Sequence, residues 1–416
     1  MIESQAVIKI YPSCLVILAL ACSRAPAVLA QEAAPIPQPV VIRVCTFAIG
    51  DVRTADLRRK DDKRVRSIAE ILQRLRPNIV LLTGMTYDTP GGPDFKEGES
   101  AGQNAVRFIE NYLNEPQADG LRPLPYKAFM APVNAGVPSG KDLNNDGRVV
   151  DTYPAPPGRM PDGSDLPWSG DAHAYSADCW GEGAFPGQGG MALLVDSRLR
   201  ILTSEIRTFR TFPWEYMPGN QMAAVREAPG TQPIPKAPPV LRLASVAHWD
   251  VPVELPNGQI VHLLCSAPAR RGQDDASLAT RRNHDEIRFW ADYVEEQGYC
   301  VDDANRGGGL EAGLPFVILG NLEAPPEIKS GLDPIATVLL GARRVNGVIV
   351  PTADGSPATT VTGERLDYVL PSKDLGIAAA GVFRQPPESS PLGFPSTHFP
   401  VWMELQVDPK SPDPGR

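Results

Sequence analysis

Apolar runs and amphipathic stretches alternate along most of the chain. Val41 to Phe47 is rich in β-branched residues, is closed by Gly50 and predicts a buried strand. Val65, Ile68, Ala69, Leu72 and Leu75 then fall on one helical stripe that Pro77 ends. "NIVLLTG" predicts the next strand and "AVRFIENYLNE" a second helix. From about Pro116 to Gly190 the chain is loaded with Gly, Pro, Asp and Asn, which reads as a loop-rich insert over a scaffold. Strands resume at "GMALLVD", "PVLRLASVAHW" and "QIVHLLCSAP". The helix after them has Asn283 as N-cap and Glu286 completing a capping box, ahead of the stripe Ile287, Trp290, Ala291 and Val294. "LPFVILGN", "RLDYVLPS" and "HFPVWMEL" predict three further strands. Strands interleaved with amphipathic helices imply α and β layers packed together.

Composition adds direction. The formal net charge of −9 argues against a dedicated nucleic-acid scaffold, without excluding a nuclease whose cleft is locally positive. At the N-terminus, Lys9 precedes the apolar "CLVILALAC", which is too short to span a bilayer, and "AVLA" offers cleavage after Ala30. This pattern predicts export, periplasmic or extracellular. Lipidation of Cys22 after "ALA" is the competing reading. The chain thus divides into a signal peptide over 1–30, a Pro-rich linker over 31–39, one domain over 40–408 carrying the insert at about 116–190, and a tail over 409–416. No segment after the signal is apolar and long enough for a transmembrane helix. Processing leaves Cys45 and Cys265 inside strand patterns, where buried thiols are expected, and Cys179 and Cys300 in polar segments, where a disulfide between them stays open.

Several stretches resemble the endonuclease/exonuclease/phosphatase superfamily, in a bacterial exported subgroup. They are "RVCTF", "LRPNIVLL", "GQGGMALLV", "HWDVPVELPNGQIVHLL", "RRNHDEIRFWADYV", "RLDYVLPSKDLG" and "STHFPVW". The likeness runs from about Val41 to Val407. It implies a four-layer α/β/β/α sandwich of two mainly antiparallel sheets. It also implies hydrolysis of phosphodiesters or phosphomonoesters with a divalent cation, usually magnesium, held by strand-end carboxylates. At the positions that match the family's motifs, this chain departs from them. Ala48 stands where the family has Asn, Gly84 where it has a metal-binding Glu, and Ala267 where it has His. The family's Gly-Asp-x-Asn turn reads Asn321 and Glu323 here, and its final Asp-His pair reads Thr397 and His398. Asp367, matching the Asp that orients a histidine, is retained. The substitutions converge on one site while the scaffold motifs read cleanly, which implies a retained fold with altered chemistry.

Each remaining feature has a functional and a structural reading. His398 with Asp367 is an acid/base pair or phosphate donor, or else a hydrogen-bonded relic. Glu323, aided by Asn321, replaces the missing metal ligands, or is a solvated strand-end carboxylate. Asp142, Asn144 and Asp146, followed by Gly147, match the opening half of a calcium loop, with Asp151 standing in for its closing carboxylate; the alternative is an Asx-rich turn. Arg270, Arg271, Arg281 and Arg282 form a cationic rim for an anion or an ordinary charge cluster. Trp168, Trp180 and Trp214 stack on a sugar or base, or anchor loops. His284 is assigned to capping or packing, His248 to a structural role at a strand end, and His262 to edge or core, while His173 in a polar loop carries no signal. The leading expectation is an exported, catalytically degenerate protein that keeps a cleft for a phosphorylated or anionic ligand. The alternatives are an active metal-dependent phosphoesterase with a rewired site, and a calcium-stabilised structural or adhesive protein.

Overall fold

The computed structural model describes Met1 and residues 38–161, 163–222, 241–275, 277–328, 331–388 and 393–409. The predicted signal peptide with Cys22, most of the linker and nearly all of the tail lie outside the described residues.

The first sheet is built around β1 (Val40–Val52), whose apolar and β-branched run continues past Gly50. It pairs in parallel with β2 (Ile79–Met85) and antiparallel with β12 (Val401–Val407). With β3 (Tyr126–Phe129), β4 (Gly189–Asp196) and β11 (Gly376–Val382), the order is β11-β12-β1-β2-β4-β3. The second sheet runs β10-β9-β8-β7-β5, with β6 also on β7. Its strands are β5 (Arg200–Ile201), β6 (Arg207–Thr208), β7 (His248–Glu254), β8 (Ile260–Ser266), β9 (Phe316–Asn321) and β10 (Asp367–Pro371). Only the β8–β9 pair in it is parallel among the described residues.

Strand side chains alternate between two faces, so each sheet has an inner and an outer set. The inner set of the first sheet, including Val44, Leu81, Leu193 and Met403, packs against Trp249, Leu263, Leu319 and Val369 of the second. The outer set of the first sheet is covered by α2 (Lys63–Leu75), whose predicted stripe Val65, Ile68, Ala69, Leu72 and Leu75 is buried there. The outer set of the second is covered by α5 (Leu278–Val294), through Ile287, Trp290, Ala291 and Val294. Shorter helices α1 (Thr54–Arg58) and α3 (Asn104–Phe108, continued by a π-turn over Ile109–Leu113) flank the first sheet. The result is the expected helix–sheet–sheet–helix sandwich of mainly antiparallel sheets.

Several local expectations need correction. α5 starts earlier than its apolar stripe suggested, at Leu278, because Ser277 accepts the Thr280 N–H as N-cap. Asn283 and Glu286 are therefore buried inside the helix, not at its cap. Asn283 donates to the Ala269 and Leu322 carbonyls at 2.8 Å each, and Glu286 accepts from Ser245 N (2.5 Å), Ser245 Oγ (2.7 Å) and Ala269 N (2.7 Å). The run "PVLRLASVAHW" becomes a strand only from His248 onward, so His248 begins β7 instead of ending a strand. Leu241 and Leu243 join the core beneath α5 without forming a ladder. The insert is loop-rich but holds β3 and α4 (Gly170–Ala177), and His173 lies on that helix. Cys179 and Cys300 are separate buried thiols, and burial pushes each up to about 12.

Trp214 is a buried anchor. Its indole N–H donates to Asp285 at 2.7 Å, and Asp285, fully buried, also accepts Gln221 N (2.6 Å) and meets His284 Nδ1 (2.9 Å). Removing one donor from a buried carboxylate costs about 1.5–3 kcal/mol. Trp214→Phe is therefore expected to lower the unfolding free energy by about that amount in a urea titration, with the slope unchanged.

Candidate ligand-binding cleft

At one end of the sandwich the inward positions turn from apolar to polar. On β1, Val44 is followed on the same face by Thr46 and Ala48, and on β2, Leu81 by Thr83. Ala48 pairs with Thr83, and across the opening Asn321 of β9 pairs with Asp367 of β10. β1 packs against β9 and β10, so the two sheets bring these positions to one rim.

The retained pair is intact. His398 Nδ1 lies 2.8 Å from Asp367 Oδ2, which also accepts the Thr359 hydroxyl at 2.7 Å. Burial works against charge on His398. The hydrogen bond and charge of Asp367, with Glu323 beyond it, outweigh burial and the opposing Arg270, and hold the imidazole above its ordinary value. Thr397 supplies no side-chain contact to this pair; its carbonyl accepts the Val361 N–H. Ser396 Oγ, two residues before His398, donates to the Ala48 carbonyl at 2.6 Å and accepts the His398 N–H at 3.1 Å, so it fixes the approach of the histidine strand to β1.

Glu323 sits in the left-handed region, at φ 52°. Its carboxylate accepts Asn321 Nδ2 at 2.8 Å, and its own N–H donates to Asn321 Oδ1 at 3.2 Å. The two polar groups thus close on each other. Gly84 is more restrictive. Its φ is +99°, and a Cβ there would lie 2.0 Å from the Gly50 carbonyl oxygen. Register irregularities on both sides, between Ala48 and Val52 in β1 and between Thr83 and Gly84 against β4, create this approach.

These residues do not fit a magnesium site of the kind the resemblance implies. A hard cation needs several oxygen ligands in near-octahedral array. Position 84 has no room for a side chain, and Asn321 and Glu323 satisfy each other. Thr46 Oγ1, Thr83 Oγ1 and Asp367 Oδ1 are buried without a protein partner. Two of these are neutral hydroxyls, and one carboxylate oxygen does not replace two strand-end carboxylates. Among the described residues, no group of three His, Cys, Asp or Glu side chains is placed to hold a metal.

A cavity of about 560 Å³ opens beside this corner, lined by Gly84, Gly50, Gly189 and the first turns of α5, with Val246, Pro268 and Ala269 across from them. Its polar lining is Asp51, Asp165, Glu182, Gln188, Ser245, Arg270 and Arg282, and Trp168 contributes an indole. Glu286 fixes one wall from behind, since its carboxylate binds both the Ser245 and Ala269 segments. Burial raises the proton affinity of Glu286, against the charge of Arg282 and those bonds.

Sequence reasoning missed Asp51, Arg53, Arg159, Asp165 and Gln188. Arg53 donates to Asp51 and Asp165, each at 2.6 Å, and Arg159 reaches Asp165 at 2.7 Å. Gln188 Nε2 bridges Asp51 (3.3 Å) and Asp165 (3.2 Å). Burial and the nearby Asp51 push Asp165 up to about 6, in spite of both arginines. The available signal was "GDVR", which ends the first strand. Its partners, more than a hundred residues downstream in an irregular insert, left no periodic pattern.

Other candidates fall outside the cleft. In the Asp142 loop the side chains accept its own backbone: Asp142 takes Asp146 N (3.1 Å) and Gly147 N (2.9 Å), Asn144 takes Asp146 N (3.0 Å) and Asp146 takes Arg148 N (2.9 Å). Among the described residues, Asp151 receives the neighbouring Thr152 hydroxyl alone, at 3.1 Å. Asx turns account for this loop, and buried Asp178 staples its ends through Leu143 N and Val150 N, each at 2.8 Å. Of the arginines, Arg271 binds Asp275 and the Leu332 carbonyl, Arg281 binds Gln221, and Arg282 spends its guanidinium on the carbonyls of Trp180, Arg242, Leu243 and Ala244. Only Arg270 of the four faces the cavity as an exposed cation. Trp180 is covered by the Arg242 guanidinium at 4.4 Å. His248, buried against the Glu286 carbonyl, is pushed down to about 4 by burial, and His262 pairs with Asp250 at 2.7 Å.

A model of the Endonuclease/Exonuclease/phosphatase family matches residues 55–398. The chain belongs to this family. Among solved structures, an endonuclease/exonuclease/phosphatase from Beutenbergia cavernae is 16% identical, with a TM-score of 0.50 over 88% of this chain and 72% of that one. A mannosyl-6-phosphatase of Bacteroides thetaiotaomicron is 12% identical, with a TM-score of 0.45 over 88% of this chain and 99% of that one. The catalytic domain of human Nocturnin is 13% identical, with a TM-score of 0.45 over 90% and 98%. No curated protein matches the chain by sequence.

Two measurements check this geometry. Gly84→Glu is expected to destabilise the fold by roughly 2 kcal/mol or more, from the left-handed backbone and the overlap with Gly50, read as a lower denaturant midpoint. His398 has a raised folded value, so its contribution to stability is complete below the ordinary imidazole range (about 6.5) and is lost as pH rises through the folded value. Unfolding titrations from about pH 5.5 to 9 are expected to show that loss in the wild type and a flatter profile in His398→Gln.

Proposed function

We propose that this protein is a catalytically degenerate member of its family, exported by its N-terminal segment, whose cleft binds an anionic ligand. The observation that carries this reading is the contact at Gly84. The position that matches the family's metal-binding Glu lies against the Gly50 carbonyl, where no side chain fits. The closed Asn321–Glu323 pair supports the same conclusion. In this family the cation neutralises phosphate charge and stabilises the leaving group. A histidine alone supplies only part of the rate enhancement, typically about 10²–10⁴-fold.

The intact His398–Asp367 pair favours a second reading, an active hydrolase with a rewired site. In that case the imidazole, kept in one orientation by Asp367, gives a proton to a leaving oxygen, and Glu323 sits in its field. The two readings separate in one assay. Purified protein with magnesium, manganese or calcium, given DNA, RNA and simple phosphodiesters, is expected to show no turnover above the buffer rate. Turnover that disappears in His398→Ala would overturn the degenerate reading. Export is tested separately by N-terminal sequencing of the secreted protein, with cleavage after Ala30 expected.

A further inference from the structure

We propose that the cavity beside the altered metal corner binds an acidic saccharide, a polyhydroxylated ring with a single negative charge. This deepens the reading of the cleft as a binding site and rests on it. The volume, about 560 Å³, lies inside the range of small-molecule pockets, roughly 300–1,000 Å³. Its lining sorts into three kinds of group. Asp51 and Asp165 form one wall, and their charge is already compensated by the arginines behind them. Asp165 Oδ2 takes one donor among the described residues, Gln188 Nε2 at 3.2 Å. Compensated carboxylates are acceptors suited to hydroxyl donors, which a sugar ring carries on successive carbons. Trp168 offers an indole, and the apolar C–H face of a pyranose stacks on such a surface.

Charge then narrows the class. Of the lining guanidiniums, Arg282 is committed to backbone carbonyls, so Arg270 alone is open to an anion. Glu182, exposed at the mouth, adds a third carboxylate to the lining. A nucleotide or oligonucleotide would bring several negative charges to one open cation, with the carboxylate of Glu182 at the same mouth. A neutral sugar would leave Arg270 unused. A uronate-type ligand matches the single cation and fills the acceptor wall with its hydroxyls.

The test is calorimetric titration of the full chain, and ligand-observed NMR, with oligogalacturonate and oligoglucuronate, the matching neutral oligosaccharides, AMP and inorganic phosphate. Binding of a uronate is expected at least tenfold tighter than its neutral counterpart, with quenching of tryptophan fluorescence. Arg270→Gln, on an exposed residue, is expected to abolish that preference while leaving the melting temperature unchanged. Asp165→Asn is expected to weaken both acidic and neutral sugars. Failure of every saccharide to bind at millimolar concentration would overturn the proposal, as would AMP or phosphate binding tighter than the uronates, or a preference indifferent to Arg270→Gln. Metal-dependent phosphoester turnover in the same preparation would remove the degenerate reading alone, and uronate binding would still be read independently of it.

Discussion

Two sheets packed face to face carry chemistry only where their inward positions run out of apolar partners. Everything distinctive in this molecule follows from how that end is finished. Val44, Leu81, Leu319 and Val369 lock the sheets together, and one step further along the same faces stand Thr46, Thr83, Asn321 and Asp367. The core fixes which residues reach the rim and from which side. The irregularities in β1 and β2 then decide what space each one has. Backbone bends, as well as side-chain identity, therefore set the shape of this rim.

The cleft has two neighbouring parts with different supports. The corner of His398, Asp367, Asn321 and Glu323 is held by the β9–β10 pair and by the Ser396 contact to β1. The cavity next to it is held by α5 from one side and by a long-range arginine–carboxylate lattice from the other. Arg270 belongs to both, since it lines the cavity and acts on the charge of His398. A ligand that engages Arg270 therefore changes the field at the histidine without touching it.

Much of the scaffold was legible because burial leaves a period in the sequence. The α2 stripe and the β9 run show it, and Val41 to Phe47 was correctly read as a strand. His398 and Asp367 were legible as partners because each falls inside a recognisable motif, and the structure joins them at 2.8 Å. The start of α5 was misread because Asn283 and Glu286 have the residue types of a capping box, whereas their side chains bond loops distant in sequence. The cavity was illegible for a related reason. Asp51 and Asp165 meet only after the insert folds back, and no local rule relates a residue at the end of β1 to one in an irregular segment.

The close approach of Gly50 and Gly84 also bears on how the protein can change. A carboxylate placed at position 84 would meet the neighbouring carbonyl before it met a ligand. The bend in β1 would have to relax first, and that bend carries Asp51 to the cavity wall with Arg53 bonded to it from behind. The cavity wall and the space at position 84 are thus set by the same backbone bend, and a change in one is a change in the other.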